Sequence, residues 1–388
     1  VITLSFAVPS VGTTYDMEFV PAEESPAAVI ADISDLQAQG KKVVLSIGGA
    51  NASVHLNSDA ERDQFVTSMM ALIVTYGFDG IDIDLEGTSV SISGGSIQAP
   101  TDLPMQRMIQ AIGMIMDLYR AQFGTKLFLT MAPETAYVQG GQSAWGGIWG
   151  AYLPLIHALR DSIDILQVQL YNSGSMYGVD GGIYTQGTAD FIVSQTEAVI
   201  QGFNTGGGFF MGLDPEQVAV ALPACASAAG GGFTDSLTVR MAVEYLLGQG
   251  PQPGSYQLQQ AGGYPTLRGM MTWSVNWDAA AACDGAWSFA DVYERVFDPL
   301  ATAIALREKQ TLSVFPNPAS DRVFIAVDGS SGPLDIRWTD AMGRIVRSEG
   351  HQGEGVVELS VRDLSTGTYV IELAAVDGAI RRAVVVVE

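Results

Sequence analysis

The chain has 388 residues, of which 47% are hydrophobic, and a formal net charge of −23 at pH 7. This length and composition allow a large buried core and two domains. The excess of acidic residues argues against nucleic acid as a partner. No apolar run approaches the roughly 18 residues of a membrane-spanning helix, so we expect a soluble protein. We also expect it to be a monomer.

From residue 1 to about 308, short apolar strands alternate with amphipathic helices. Strands are predicted at 1–8, 42–48, 79–86, 126–133, 163–171, 217–222 and 267–275. Helices are predicted near 26–39, 59–76, 104–123, 149–160, 188–202, 235–248 and 289–306. Such alternation is typical of an α/β fold in which parallel strands are surrounded by helices. A closed (β/α)8 TIM barrel needs eight strands, one more than the pattern supplies.

The pattern changes after residue 308. Helical periodicity stops, and turn signals separate short strands, predicted at 311–315, 322–327, 334–339, 344–349, 355–361, 368–374 and 380–387. This arrangement favours a small all-β sandwich. The sequence therefore predicts two domains, 1–308 and 309–388, with Trp338 in the core of the second.

The third predicted strand carries alternating carboxylates. Asp82, Asp84 and Glu86 fall on one face of it, and the apolar residues between them fall on the other. The apolar segments on either side favour a central strand over a solvated edge strand. Converging carboxylates resist ionising together, so we expect at least one raised pKa. A carboxylic acid that is protonated near neutral pH is what general-acid catalysis needs.

Together with Asp79, these acids match the pattern Asp-x-x-Asp-x-Asp-x-Glu, and the segment resembles the signature of family 18 glycoside hydrolases, the chitinases. Further matching motifs end other predicted strands: Ser46-Ile-Gly48-Gly49, Met131-Ala-Pro-Glu134, Gln167-Val-Gln169-Leu-Tyr171-Asn172 and Met271-Thr-Trp273-Ser-Val-Asn-Trp277-Asp278. The resemblance runs to about residue 300. It implies that the sequence begins at the second strand of the barrel. Either the first strand belongs to a longer chain, or the barrel lacks that strand and is left with a hydrophobic edge. Since no charged segment precedes the opening strand, we expect any signal peptide to be removed or not included.

The resemblance also implies a mechanism without metal or cofactor, in which the substrate supplies the nucleophile. Glu86 protonates the glycosidic oxygen, and the acetamido oxygen of the sugar attacks the anomeric carbon. Asp84 holds the acetamido N–H, Asp82 shares its proton with Asp84, and Tyr171 donates to the acetamido oxygen. The expected substrates are chitin and chito-oligosaccharides. Internal cleavage is expected, because the segment between the last two strands is too sparse for the inserted domain that walls the cleft in some chitinases.

Substrate-binding residues are carried over in the same way. Trp273 is expected to form the floor of the sugar site, with Gln169, Asn172, Met131 and Phe6 beside it. Aromatic side chains that can extend the stacking, with core packing as the alternative for each, are Tyr137, Trp145, Trp149 and Tyr177.

Other residues of these motifs are expected to be structural. Gly48 and Gly49 are expected to permit close backbone approach, and Asp79 to stabilise a turn. Glu134 is expected to make structural hydrogen bonds, with a second catalytic carboxylate as the alternative. Cys225 and Cys283 follow successive strands, and a disulfide and two buried thiols both remain open. The scattered histidines, His55, His157 and His351, form no metal cluster.

Three motifs of the second domain resemble the C-terminal sorting domain of the type IX secretion system of Bacteroidetes: Val314-Phe315-Pro316-Asn317-Pro318-Ala319, Asp340-Ala-Met-Gly343 and Leu364-Ser-Thr-Gly367-Thr-Tyr369. This resemblance implies that 309–388 engages the secretion machinery and that the protein is secreted or held at the cell surface. The alternative is a carbohydrate-binding sandwich. For the whole chain, the alternatives to a chitinase are an endo-β-N-acetylglucosaminidase acting on N-glycans and a chitin-binding lectin of the same fold.

Overall fold

The structure is a computed structural model that describes residues 1–280, 284–297, 314–327, 333–340, 345–352, 355–375 and 380–388. It divides into two compact units, Val1–Val296 and Phe297–Glu388. The domain boundary predicted at 308/309 and the cysteine at position 283 lie outside the described residues. In the part of the chain that is described, no helix has the length and apolar character needed to cross a membrane.

The first six strands of the larger unit form a mainly parallel sheet. Its strands are β1 (Ile2–Pro9), β2 (Met17–Glu18), β3 (Val43–Gly48), β4 (Gly80–Asp84), β5 (Phe128–Met131) and β6 (Ile165–Leu166). They pair in the order β2-β1-β3-β4-β5-β6, and only the short β2 is antiparallel. The acidic strand β4 is therefore central, as predicted.

Two antiparallel hairpins, absent from the predicted elements, follow β6. They are formed by β7 (Ser175–Tyr177) with β8 (Ile183–Thr185) and by β9 (Phe203–Thr205) with β10 (Gly208–Phe210). The first lies in a segment predicted as a loop, because neither of its three-residue strands is long enough to establish a period of two.

Two further parallel strands, β11 (Ala219–Pro223) and β12 (Gly269–Trp273), pair with each other. Parallel bridges from Leu166 to Val218 and from Gln169 to Ala221 link β6 to β11. Seven parallel strands, five in the first sheet and two in the second, thus follow one another in chain order, as predicted. Within the described residues, β12 pairs with β11 and not with β1.

Helices connect the strands. They are α1 (Pro26–Ala38), α2 (Asp59–Tyr76), α3 (Leu103–Phe123), α4 (Leu153–Leu159), α5 (Ala189–Gln201), α6 (Ser236–Leu246), α7 (Val275–Ala279) and α8 (Ser288–Phe297). Local signals fix their ends: Ser25 and Ser58 cap α1 and α2 by accepting a backbone N–H each. Gly77, with a φ of 78°, ends α2 in the left-handed region. Residues 224–268 contain one α-helix, α6, and no β-strand.

The smaller unit is a β-sandwich. Its strands are β13 (Val314–Phe315), β14 (Arg322–Val327), β15 (Pro333–Asp340), β16 (Ile345–Gln352), β17 (Gly355–Ser360), β18 (Gly367–Ala375) and β19 (Ile380–Val387). They form one sheet in the order β13-β14-β17 and another in the order β16-β15-β18-β19. Side chains of both sheets share one core, in which Trp338 is 0% exposed. Each predicted strand of this domain has a counterpart among the described residues, while predicted positions 311–313 and 344 lie outside them. Alternation of apolar and polar residues made these strands predictable.

Candidate active site

The carboxyl end of β4 carries the three acids of the signature. Asp82 and Asp84 are 2% and 6% exposed, and Glu86 follows the strand half-buried. Gly49 N–H donates to Asp84 O at 2.7 Å, and a Cβ on Gly48, whose φ is 105°, would lie 2.4 Å from the same oxygen. This confirms that the glycine pair permits close approach, here of the end of β3 to the acidic strand.

Asp82 is held between the two neighbouring strands. Its cross-strand neighbours, Ser46 on β3 and Thr130 on β5, donate hydroxyl hydrogen bonds of 2.7 and 2.5 Å to its carboxylate. The Gln167 side-chain amide donates a third, of 3.1 Å. Burial nevertheless raises the pKa of Asp82 above its usual value. Asp82 is thus a rigidly held carboxyl group that can retain a proton.

The pKa of Asp84 is affected by both neighbouring acids. Burial, reinforced by the charges of Asp82 and Glu86, holds the pKa of Asp84 well above its usual value, and a hydrogen bond to Glu86 acts in the same direction. The prediction that converging carboxylates would raise at least one pKa is confirmed. Asp84, next to the carboxyl group of Glu86, therefore keeps its proton to a higher pH than an exposed aspartate does.

One amide, that of Gln169, connects these acids to the rest of the sheet. Its Nε2 lies 2.9 Å from Asp84 Oδ1, 3.2 Å from Glu86 Oε1 and 2.8 Å from Ala132 O. Two N–H groups thus serve three acceptors. The Ala132 carbonyl anchors the amide, so Gln169 orients both carboxylates toward each other.

Tyr171 lies beside the acids and is 6% exposed. Burial and the charge of Asp84 raise the pKa of Tyr171 well above its usual value, so its hydroxyl remains a donor. Among the described residues this hydroxyl has no hydrogen-bond partner. A hydroxyl donor without a partner among the described residues, next to two carboxylates, is suited to an acceptor on a bound ligand.

Glu134 also belongs to the site. It follows β5, pairs through its backbone with Gln169 and is half-buried. Burial and the charge of Glu86 raise the pKa of Glu134. Within the described part of the chain its carboxylate makes no hydrogen bond, so the expectation that Glu134 has a structural hydrogen-bonding role is wrong. Asp79, by contrast, binds Lys42, Gln37 and the Val43 N–H at the opposite end of the strands, which confirms its structural role.

An aromatic pair joins β1, the first parallel strand along the chain, to β12, the last. The rings of Phe6 on β1 and Trp273 on β12 stack with centroids 5.7 Å apart and an interplanar angle of 25°. Both side chains are partly exposed. The Phe6 ring also packs over Gly49, where a Cβ would lie 2.8 Å from it. These two residues form a flat apolar surface at the carboxyl ends of the strands.

The remaining predicted substrate contacts fall in two groups. Met131 is 0% and Tyr137 2% exposed, so both are core residues beneath the site, and the Tyr137 hydroxyl donates to Gly87 O at 2.9 Å. The members of the second group are exposed or half-exposed: Asn172, Trp145, Trp149 and Tyr177. Their contacts with substrate stay predictions.

Sequence reasoning missed one residue of the site, Tyr152. It is 0% exposed, and its hydroxyl accepts a 2.6 Å hydrogen bond from the Leu85 N–H, between Asp84 and Glu86. A tyrosine within an apolar segment gives no signal of such a role. Among the described residues, no three or more His, Cys, Asp or Glu side chains are arranged so that they could hold a metal ion. Cys225 is disulfide-bonded; because Cys283 is not among the described residues, their pairing stays a prediction.

Comparison with known proteins agrees with this geometry. Residues 2–252 match the model of glycosyl hydrolases family 18, and residues 313–387 match that of a secretion system C-terminal sorting domain. A chitinase of Paenibacillus xylanexedens is 47% identical over 284 residues, which are 72% of this chain and 54% of the relative. Chitinase D of Niallia circulans is 46% identical over 285 residues, again 72% and 54% of the two chains. The chain spans about half the length of the curated relatives it matches.

Among solved structures, a family GH18 chitinase from Chromobacterium violaceum is similar, with a TM-score of 0.65 and 39% identity. The match covers 75% of this chain and 74% of that one. The sorting domain is of the type IX kind and marks a protein that is secreted or held at the cell surface. The acidic strand, its position in the sheet and the family match over residues 2–252 lead to one conclusion: the chain belongs to family 18 of the glycosyl hydrolases.

Proposed function

We propose that the chain is a chitinase that hydrolyses β-1,4 bonds between N-acetylglucosamine units of chitin and chito-oligosaccharides. One observation carries the proposal. Asp84 and Glu86 both accept a hydrogen bond from the side-chain amide of Gln169, and the Tyr171 hydroxyl beside them has no partner among the described residues. This group offers an acid, an acceptor for an N–H and a donor for a carbonyl oxygen. An acetamido group carries that N–H and that carbonyl, and the named relatives are chitinases.

In the first step, Glu86 donates its proton to the glycosidic oxygen, and the bond from this oxygen to the anomeric carbon breaks. The acetamido carbonyl oxygen of the same sugar attacks the anomeric carbon and forms an oxazolinium ion. Asp84 accepts the acetamido N–H and opposes the positive charge that develops on the ring, while Tyr171 donates to the attacking oxygen. The buried Asp82 exchanges a proton with Asp84 and thereby adjusts its charge.

In the second step, the Glu86 carboxylate removes a proton from water, and the resulting hydroxide opens the oxazolinium ring at the anomeric carbon. Two displacements at the same carbon give net retention. Glu86 regains its proton, so the cycle needs no other acid.

The aromatic pair supplies the sugar platform. The apolar face of the reacting sugar packs on Trp273, which Phe6 supports from behind. We extend the proposal to internal cleavage, because the single helix among residues 224–268 leaves the groove without an inserted wall. The sandwich, 309–388 in the predicted division, is proposed to engage the type IX secretion machinery.

The test is hydrolysis of chitohexaose by the wild-type chain, Glu86→Gln and Glu134→Gln. Glu134 is a matched control, since it is a second half-buried carboxylate of the same site but makes no hydrogen bond among the described residues. We expect Glu86→Gln to lower kcat by at least about a thousandfold while oligosaccharide binding persists, and Glu134→Gln to stay within about tenfold of wild type.

Other outcomes separate the alternatives. Equal activity in Glu86→Gln removes Glu86 from the acid role. Turnover of an N-glycosylated protein but not of chitohexaose identifies an endo-β-N-acetylglucosaminidase. Binding of chitohexaose by a folded wild-type chain without turnover identifies a lectin.

A further inference from the structure

The hydroxyl of Tyr152 binds the backbone that carries the proposed catalytic acids. It accepts a 2.6 Å hydrogen bond from the Leu85 N–H and lies 3.4 Å from Ile83 O, to which it donates. Burial holds the pKa of the Tyr152 hydroxyl well above its usual value, so it can accept and donate together. Leu85 is 1% exposed, so water does not readily replace this partner.

Tyr152 binds β4 at the point where its backbone pairing with β5 ends. The last paired residues are Ile83 and Met131, and the Ala132 N–H still donates to Ile83 O at 3.0 Å. In a regular parallel ladder, the next bond would run from the Leu85 N–H to Ala132 O. Here the Leu85 N–H binds Tyr152 instead, and Ala132 O accepts the side-chain amide of Gln169. Two side chains thus replace one missing backbone bond.

A second tyrosine binds the same backbone two residues further on. Tyr137 donates to Gly87 O at 2.9 Å, and its ring packs edge-to-face on that of Tyr152 with centroids 6.0 Å apart. The Tyr152 N–H also donates to Tyr137 O at 3.0 Å. The tyrosine pair, Tyr137 and Tyr152, therefore contacts residues 83, 85 and 87 from one side.

We propose that Tyr152, supported by Tyr137, is a positioning residue for Glu86. Because β4 ends at Asp84, Glu86 lies beyond the sheet, and the tyrosine pair replaces the lost strand partner at residues 85 and 87. A carboxylic acid that donates to a glycosidic oxygen must be placed accurately, and an error of about 1 Å can reduce the rate roughly a hundredfold. This role rests on the proposed function, since Glu86 must be the acid for its position to matter.

The test compares Tyr152→Phe with Tyr264→Phe in chitohexaose hydrolysis. Tyr264 is a matched control: it is 1% exposed, and its hydroxyl donates to the buried Glu197 at 2.6 Å, without a contact to β4. We expect Tyr152→Phe to lower kcat by about 10- to 100-fold and to change KM by less than about threefold. Tyr264→Phe should lower the melting temperature but leave kcat and KM within about twofold of wild type.

Wild type and Glu86→Gln are run in the same assay, so that the proposed function is tested separately. If wild type is active and Glu86→Gln is not, the proposed function stands whatever Tyr152→Phe does. A Tyr152→Phe variant with the wild-type kcat, or a kcat loss equal to that of Tyr264→Phe, overturns the positioning role. Should Tyr152→Phe not fold, Tyr137→Phe takes its place: a kcat loss of about two- to fivefold at constant KM supports the role, and an unchanged kcat overturns it.

Discussion

Replacing Asp84 by asparagine should stabilise the fold while it impairs catalysis. Burial and the neighbouring acids hold the pKa of Asp84 well above its usual value, which means that folding disfavours its charged form. Asparagine has the same shape and no charge. Its carbonyl oxygen can still accept from Gln169, and its amide can donate to Glu86. The substitution therefore removes an electrostatic cost without opening a cavity.

The size of the gain depends on pH. The unfolded carboxyl loses its proton near pH 3.9, whereas the folded one loses it at a higher pH, so wild-type stability falls with rising pH between these two values. The Asp84→Asn variant lacks this fall. Its advantage should be absent below about pH 3.9, grow by about 1.4 kcal/mol per pH unit and become constant above the folded pKa.

The assay is thermal unfolding of wild type and Asp84→Asn at several pH values, with kcat for chitohexaose measured beside it. We expect the melting temperature of the variant to exceed that of wild type increasingly as pH rises, and kcat to fall by about a hundredfold or more. A variant that is less stable than wild type at every pH would refute the reasoning about burial and repulsion at Asp84.

Two further predictions concern the strands around the acids. Gly48→Ala should lower the free energy of unfolding by about 2–4 kcal/mol and reduce expression of folded protein, because its Cβ would lie 2.4 Å from Asp84 O at a φ of 105°. Denaturant unfolding measures this loss. A variant as stable as wild type would contradict the close approach of the two strands. Trp273→Ala should raise KM for chitohexaose by about tenfold or more, since a sugar loses its stacking surface. Steady-state kinetics measure this effect, and Trp338→Phe, a conservative change in the other unit, is the control. An unchanged KM in Trp273→Ala would show that Trp273 is not part of the surface on which the sugar packs.

Local patterns predicted the acidic strand and its setting well. The alternation around Asp82 and Asp84 fixes which face the carboxylates share, and the apolar strands on either side fix its central place. The same holds for the sandwich, whose strands alternate apolar and polar residues between clear turns. Each of these features depends on residues that are close in the sequence.

Contacts between distant segments were not predictable in the same way. Tyr152 lies 67 residues from Leu85, and Gln167 lies 85 residues from Asp82. Their roles depend on the register of the strands and on the point at which the pairing of β4 with β5 ends. Neither can be inferred from residues that are close in the sequence. The free carboxylate of Glu134 was misjudged for the same reason, since a missing partner is visible only in three dimensions.

The central claim is that the acetamido group of the substrate is the nucleophile and that Glu86 serves as both acid and base. The most direct measurement is the anomer that the wild-type chain first releases from chitohexaose, followed by proton NMR before mutarotation. Two displacements at the anomeric carbon predict that the β-anomer forms first. Initial release of the α-anomer would contradict this mechanism, because it requires direct attack by water.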